Sequence, residues 1–535
     1  MAGEIEGLDD ASLASWSTFG VDVSDPEGFR QQLAAGSFPV AIAARSRERG
    51  DHLALRIGSD AVSYAELDAE TARAAGWLQR QGVGPGDRVV LCGANSIELV
   101  IAWLGVVRLR AVTVVLNPTL SPRELAFLVQ DSGCSAVCAD EDLLPKFQSL
   151  DEMRQVPSLE ALRAVSASAV GIREVSRDAT PIAVAPLPSS TLCTLQYTSG
   201  TTGQPKGVML THGNLLASLR CAIIAWRWSQ EDVLVHSLPM SHGHGFNGVL
   251  TALLTGATAI VLPRTDPERI CRTIAESGAT IFYSVPAIWE RLLTWEGFDR
   301  RYFHSLRLFT SGSAPLSPAL SDRVKDMLGE RPLERYGATE TGFAVTNPID
   351  GPRIAGSVGK PFPGAEVRVV DADGRGVPPG EDGEIVVRGP AVFAGYWRIE
   401  DHDPYFYPGG WFRTGDVGRF DPANGYLSIT GRLKDMIISG GLNVYPREVE
   451  LIAEQFPGVK EAAATGVPSE AWGEEVVLGV VGEPNLDLSA LTVHLRENLA
   501  GYKVPKQIKL IEAVQRNQMG KVLRSELTRQ WADLP

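Results

Sequence analysis

Two hydrophobic periodicities alternate along most of this chain. Apolar residues recur at three- and four-residue spacing over residues 65–80, which predicts an amphipathic helix. Short unbroken apolar runs at 88–92, 111–115 and 258–262 predict strands buried on both faces. The same alternation continues with a strand at 280–285, a helix at 287–295 and a strand at 306–310. Such a succession predicts an α/β core with mainly parallel strands. The longest apolar stretch, 99–116, is interrupted by Arg108 and Arg110. Central charges are costly in a bilayer, so it reads as a buried helix followed by a strand, and no membrane span is expected.

The texture changes twice. Over residues 356–429, short strands are separated by turns such as Asp373-Gly374 and Pro379-Gly380, which predicts a β-rich subdomain. Beyond Arg432 lies a compact tail with its own apolar runs at 461–467 and 475–481. The expected organisation is an N-terminal extension (1–38), a large α/β domain (39–433) that includes the β-rich subdomain, and a small α+β domain (434–535).

Composition narrows the class. A chain of 535 residues, 44% apolar and 21% charged, has material for several cores and the balance of a soluble globular protein. A formal net charge of −14 argues against a nucleic-acid-binding surface. The six cysteines are scattered, and Cys134 and Cys138 lack the further ligands of a zinc site, so buried thiols in a reducing compartment are expected. Residues 1–38 are acidic and lack a basic start followed by an apolar core, so no signal peptide is read and a cytoplasmic location is expected.

Chemistry concentrates in residues 197–207, Tyr-Thr-Ser-Gly-Thr-Thr-Gly-Gln-Pro-Lys-Gly. Hydroxyls and backbone N–H groups donate to phosphate oxygens, and glycine lets several donors converge on one anion. Lys206 adds a charge. The helix start read at Thr211-His212-Gly213-Asn214 is expected to favour the same anion through its dipole. The run is not the common P-loop, because Pro205 precedes the lysine and Gly207 follows it. A nucleotide is the first expectation.

Four further motifs follow in order. Residues 333–342 hold Tyr336-Gly337-Ala338-Thr339-Glu340, an aromatic beside oxygen donors suited to phosphate and Mg²⁺. Asp416 and Arg432 offer a carboxylate and a guanidinium that can share the two hydroxyls of a sugar. Gly440-Gly441 opens a loop ending at Pro446, and Gly520-Lys521 stands near the C-terminus.

Together these motifs resemble those of the AMP-forming acyl-activating superfamily of acyl-CoA synthetases, adenylation domains and firefly-type luciferases, over about residues 40 to 530. The resemblance implies the α/β large domain, a mobile small domain, and ATP, Mg²⁺ and coenzyme A as cofactors. It gives Thr198, Ser199, Gly200, Thr201, Thr202, Gly203 and Lys206 to the ATP phosphates. Thr339 would contact phosphate, Thr201 and Glu340 would hold magnesium, and Tyr336 with Gly337 would flank the adenine. Asp416 and Arg432 become the ribose pair, Lys434 the hinge, and Gly440 and Gly441 the passage for the CoA arm. Lys521 becomes the catalytic charge at the α-phosphate. That loop usually opens with proline, where this chain has Gln515.

The acid is expected near Leu238-Pro-Met-Ser-His242-Gly-His244-Gly-Phe246. His242 matches the family's gate beside the reacting carboxylate. The His-x-His-Gly form resembles enzymes that activate short dicarboxylates, malonyl-CoA and oxalyl-CoA synthetases among them. In that reading Arg291 faces the distal carboxylate, and Ser313, in Ser311-Gly-Ser-Ala-Pro-Leu316, lines the pocket. An aryl or medium-chain monocarboxylic acid stands equally open. Gly243 replaces the Asp usual in the amino-acid branch, which disfavours an amino acid. The expected acceptor is CoA, with a carrier protein or an amine as the alternative.

Overall fold

The computed structural model describes residues 10–143, 145–147, 163–165, 171–198, 205–439, 442–469, 473–483, 485–516 and 522–531. Local signals set the helix starts. Ser63 and Glu66 form a reciprocal capping box that opens Tyr64–Arg80, and Ser121 and Glu124 do the same for Pro122–Ser132. The apolar stretch at 99–116 becomes the helix Ile97–Arg108, buried on nearly every side, and then the strand Val112–Leu116. Among the described residues no helix is long and apolar enough to cross a membrane.

Two large sheets carry the α/β portion. One has six strands in the order Arg163–Val165, Ala136–Ala139, Arg88–Cys92, Val112–Leu116, Leu192–Thr198 and Lys206–Thr211. All neighbours in it run parallel except the last pair. The other has nine strands, with Leu308–Ser311, Ile281–Tyr283, Val233–His236 and Thr258–Val261 parallel at its centre. Toward one edge it continues into Leu333–Ala338 and the antiparallel Gly342–Thr346. A third sheet, built on Glu366–Val370, Gly383–Arg388, Trp411–Phe420 and Leu427–Arg432, forms the β-rich part.

The tail after Arg432 has a five-stranded sheet of its own, centred on Val459–Ser469 and Gly473–Gly482. Pro446–Ala453 and Leu488–Asn498 cover it and bury Val449, Leu478, Leu491 and Leu495 in a separate core. The molecule is therefore a large mixed α/β domain followed by a smaller α+β one.

From Asp10 onward the N-terminal segment packs against the large domain. Trp16, fully buried in Asp10–Thr18, donates its indole N–H to the Ala365 carbonyl at 2.8 Å, and Ser15 bonds Pro361 O at 3.0 Å. Arg30 and Arg388 both pair with the buried Glu366 carboxylate. All six cysteines are free, and five of them are buried.

One expectation is corrected. The helix His212–Ala225 does start at a capping box, Thr211 with Asn214, but it does not point at the phosphate loop. Leu192–Thr198 and Lys206–Thr211 form an antiparallel pair in which Thr198 faces Lys206 and Leu192 faces Thr211. The helix begins at the far end of that pair, roughly 17 Å away by strand rise. Its dipole cannot serve an anion held by the loop.

Candidate active site

The phosphate run leaves and re-enters the six-stranded sheet at Thr198 and Lys206. Between them Ser199, Gly200, Thr201, Thr202 and Gly203 lie outside the described residues, as do Gly440, Gly441 and Lys521. The two flanking residues are both engaged. Thr198 Oγ1 donates to Glu340 Oε1 at 3.1 Å, and Tyr396 OH donates to the same oxygen at 3.1 Å. Lys206 Nζ donates to Tyr405 OH at 2.9 Å and lies 4.6 Å from the Tyr405 ring centroid and 5.3 Å from that of Tyr396. The fold thus joins three segments distant in sequence: the loop root, the Glu340 turn and the aromatic segment near 396–405.

Tyr396 and Tyr405 were not anticipated. The signal was available as Gly395-Tyr396-Trp397 in a stretch dense with aromatics. The segment pairs with the loop's second strand, through Trp397 N to Gly207 O at 2.7 Å and Met209 N to Gly395 O at 3.0 Å.

Glu340 stands in the tight turn between Leu333–Ala338 and Gly342–Thr346, next to the partly buried Thr339. The turn needs its glycines. A Cβ on Gly337 would sit 2.1 Å from Gly342 O, and Gly342 has φ +61°. On the same strand, Tyr336 OH donates to Asp416 Oδ2 at 2.7 Å, and Arg432 Nε lies 2.7 Å from Asp416 Oδ1. Asp416 and Arg432 are direct cross-strand partners, so strand pairing aligns them. Tyr336 is buried against Ala344, Val367 and Ile385. Burial, aided by the Asp416 charge, pushes its phenol above the usual range. Lys434 is exposed in the short turn Leu433–Asp435, between the third sheet and the small domain's sheet.

In the histidine segment, His242 caps the helix Gly243–Thr255, its Nδ1 accepting from His244 N at 3.3 Å. The His244 Nδ1 to Ser313 Oγ distance is 2.9 Å. Ser313 has φ +67°, a left-handed conformation that an L side chain adopts at a cost and that aims it at the histidine. A Cβ on Gly243 would sit 3.2 Å from Gln196 Oε1, which brings the strand before the phosphate loop against the histidine pair. Arg291 stands exposed in the last turn of Pro286–Thr294, whose buried face is Ile288, Trp289 and Leu292.

Burial keeps these imidazoles neutral. It pulls His242 and His212 down to about 4 and His236 to about 3, and holds His244 well below its usual value. The unfolded chain, with histidines near 6.5, therefore binds more protons than the folded one between about pH 4 and 6.5. That stability is complete above about 6.5 and falls with acidification by about 1.4 kcal/mol per pH unit for each group. Glu334, which burial pushes up to about 8, has the opposite sign over this window. His52, also lowered by burial, joins the four histidines, and Glu98 and Glu454, also raised by burial, join Glu334, so five histidines against three glutamates set the net slope. The urea midpoint should drop between pH 6.5 and 5, and a flat midpoint would contradict neutral buried imidazoles.

The Thr198 and Tyr396 bonds to Glu340 and the Asp416–Arg432 pair on the adjoining strands gather donors and acceptors of the kinds a nucleotide takes. The chain belongs to the AMP-binding enzyme family, whose profile matches residues 42–397, while that of the family's C-terminal domain matches 448–521. It is 34% identical to a feruloyl-CoA synthase from Amycolatopsis sp over 502 residues, 93% of this chain and 99% of that one. It is 33% identical to the mitochondrial malonate–CoA ligase of Mus musculus, covering 92% of this chain and 91% of the relative. ATP-bound MatB from Rhodopseudomonas palustris superposes with a TM-score of 0.86 at 34% identity, over 92% of this chain and 99% of that structure. The protein is an adenylate-forming acid–CoA ligase that uses ATP, Mg²⁺ and coenzyme A.

Proposed function

We propose that this ligase activates a small carboxylic acid held between His242, His244 and Ser313. The observation that carries this is the convergence on Glu340: Thr198 at the loop root and Tyr396 both bond its carboxylate, one turn from the strand that carries Tyr336. The phosphates then lie on the loop side and the ribose at Asp416 and Arg432. The acid enters from the His242 side.

A carboxylate is a poor electrophile until its oxygen is esterified. Its oxygen attacks the α-phosphorus of ATP, the bond to the β-phosphate oxygen breaks, and pyrophosphate leaves. Lys206 and the loop hydroxyls hold the leaving group, and Lys521 offsets the charge that develops at the α-phosphate. Glu340 and Thr201 would hold magnesium through their oxygens, and the ion when bound would supply charge to neutralise the phosphates. The small domain then turns about Lys434, whose exposed short turn lets the backbone rotate without unpacking a core. The rotation withdraws Lys521 and brings the Gly440-Gly441 loop to the site, where the CoA sulfur attacks the acyl carbon and AMP leaves. The buried free thiols fit a reducing, cytoplasmic setting.

The test is pyrophosphate release over a panel of mono- and dicarboxylic acids, with and without CoA, with products identified by mass spectrometry. Acyl-CoA is expected with at least one acid. Acyl-AMP that accumulates unchanged when CoA is added would move the acceptor to a carrier protein or an amine.

A further inference from the structure

The acyl end of the site holds a cation with no anionic partner among the described residues. Arg335 lies on Leu333–Ala338, one residue before Tyr336, and is partly buried. Its guanidinium carbon sits 4.7 Å from the Phe343 ring centroid, and its Nε is buried with no hydrogen-bond partner among the described residues. A Cβ on Gly312 would come within 3.1 Å of both Nε and Cζ, so the missing side chain there admits the guanidinium beside the loop that carries Ser313. Its charge reaches His242 and His244.

No carboxylate among the described residues answers that charge. Burial pulls Arg335 down to about 10, which leaves it cationic at neutral pH, and the one group acting against that shift is the Tyr283 phenol. The adjacent Glu334 feels Arg447 and Arg331 instead, as expected when successive strand residues point to opposite faces. A partly buried guanidinium without a counter-ion among the described residues is costly, and stacking on one phenyl ring offsets only part of that cost. Beside it stand neutral imidazoles and the Ser313 hydroxyl, groups that donate to or tolerate an anion.

The reacting carboxylate is a poor candidate for that anion. It loses its charge as the acyl-AMP bond forms, so an arginine paired to it would stabilise the ground state over the transition state. A second, unreacting anion has no such conflict. We propose that Arg335 is the specificity-determining cation of the acyl pocket, and that the substrate is a dicarboxylic acid whose distal carboxylate pairs with it while the proximal one is adenylated. This rests on the acid–CoA ligase reading and moves the distal anchor from Arg291 to Arg335.

The experiment compares α,ω-dicarboxylic acids of three to six carbons with their monomethyl esters, in the full-length enzyme and in Arg335→Met, Arg335→Lys and Arg291→Ala. Wild type should prefer one diacid over its ester. Arg335→Met should raise the KM for that diacid about 10²-fold, the scale of losing a charge-assisted pair, with a smaller change in kcat and little change with the ester. Arg335→Lys should recover part of the loss, since it keeps the charge but not the bidentate fork. Thermal melting and ATP binding establish that each variant is folded. If Arg335→Met does not fold, the Lys variant carries the same diacid–ester comparison. Equal losses with diacid and ester would make Arg335 structural, and a loss confined to Arg291→Ala would return the role to that residue. Wild-type turnover of monocarboxylates alone would overturn the Arg335 assignment and leave the ligase standing. Failure with every acid in the panel would instead overturn the ligase reading.

Discussion

Replacing Lys521 by alanine should cut acyl-AMP formation by at least about 10²-fold, the scale of removing one preorganised charge-stabilising donor. Thioester formation from presynthesised acyl-AMP should survive. The two half-reactions differ in where charge appears: the first builds it on the α-phosphate, the second at the acyl carbon after the small domain has turned. The base of the Lys521 loop is well anchored. Arg516 and Val522 pair across it, Leu523 N donates to Gln515 O at 2.8 Å, and Arg516 pairs with Glu461. That anchoring answers the missing proline, because Gln515 is held by its carbonyl instead of by a fixed φ. Pyrophosphate release and single-turnover thioester formation measure the two steps separately. Equal loss in both would refute the division of labour.

Asp416→Ala should raise the KM for ATP by about 10²-fold or more, the scale of losing two hydrogen bonds to a charged acceptor. It should also destabilise the fold by about 1–3 kcal/mol, chiefly because the buried Tyr336 hydroxyl loses its acceptor. Arg432, with 40% of its side chain exposed, contributes less, since water can replace its partner. Asp416→Asn separates the two effects: an amide oxygen still accepts from Tyr336, so stability should largely return while ATP affinity does not. Wild-type ATP affinity in the Asn variant would remove Asp416 from the ribose site.

Much of the fold was legible because its signals are local. Arg88–Cys92 lies where its apolar run predicts, and the helix read over 65–80 appears as Tyr64–Arg80, started by the Ser63 capping box. The helix start at Thr211 was equally legible from its capping residues, yet its direction was not. Whether that helix faces the phosphate loop depends on how the two flanking strands pair, and no window of residues shows an antiparallel register in advance. The aromatic cage around Lys206 escaped notice for the same reason, since Tyr396 and Tyr405 reach it only through strand pairing with the 206–211 segment.

The sequence by itself determined a phosphate-binding loop, because hydroxyls, glycines and a lysine at that spacing are the donors a phosphate demands, and the resemblance carried by the motifs in their order implied an ATP-dependent acid activation. Only the tertiary structure separated the two cations that could face the acid. Arg291 and Arg335 are equal as charges along the chain, and burial separates them. One stands in water at the end of a helix, while the other, with no counter-ion among the described residues, sits against Phe343 and Gly312, where an anion is worth more than in water.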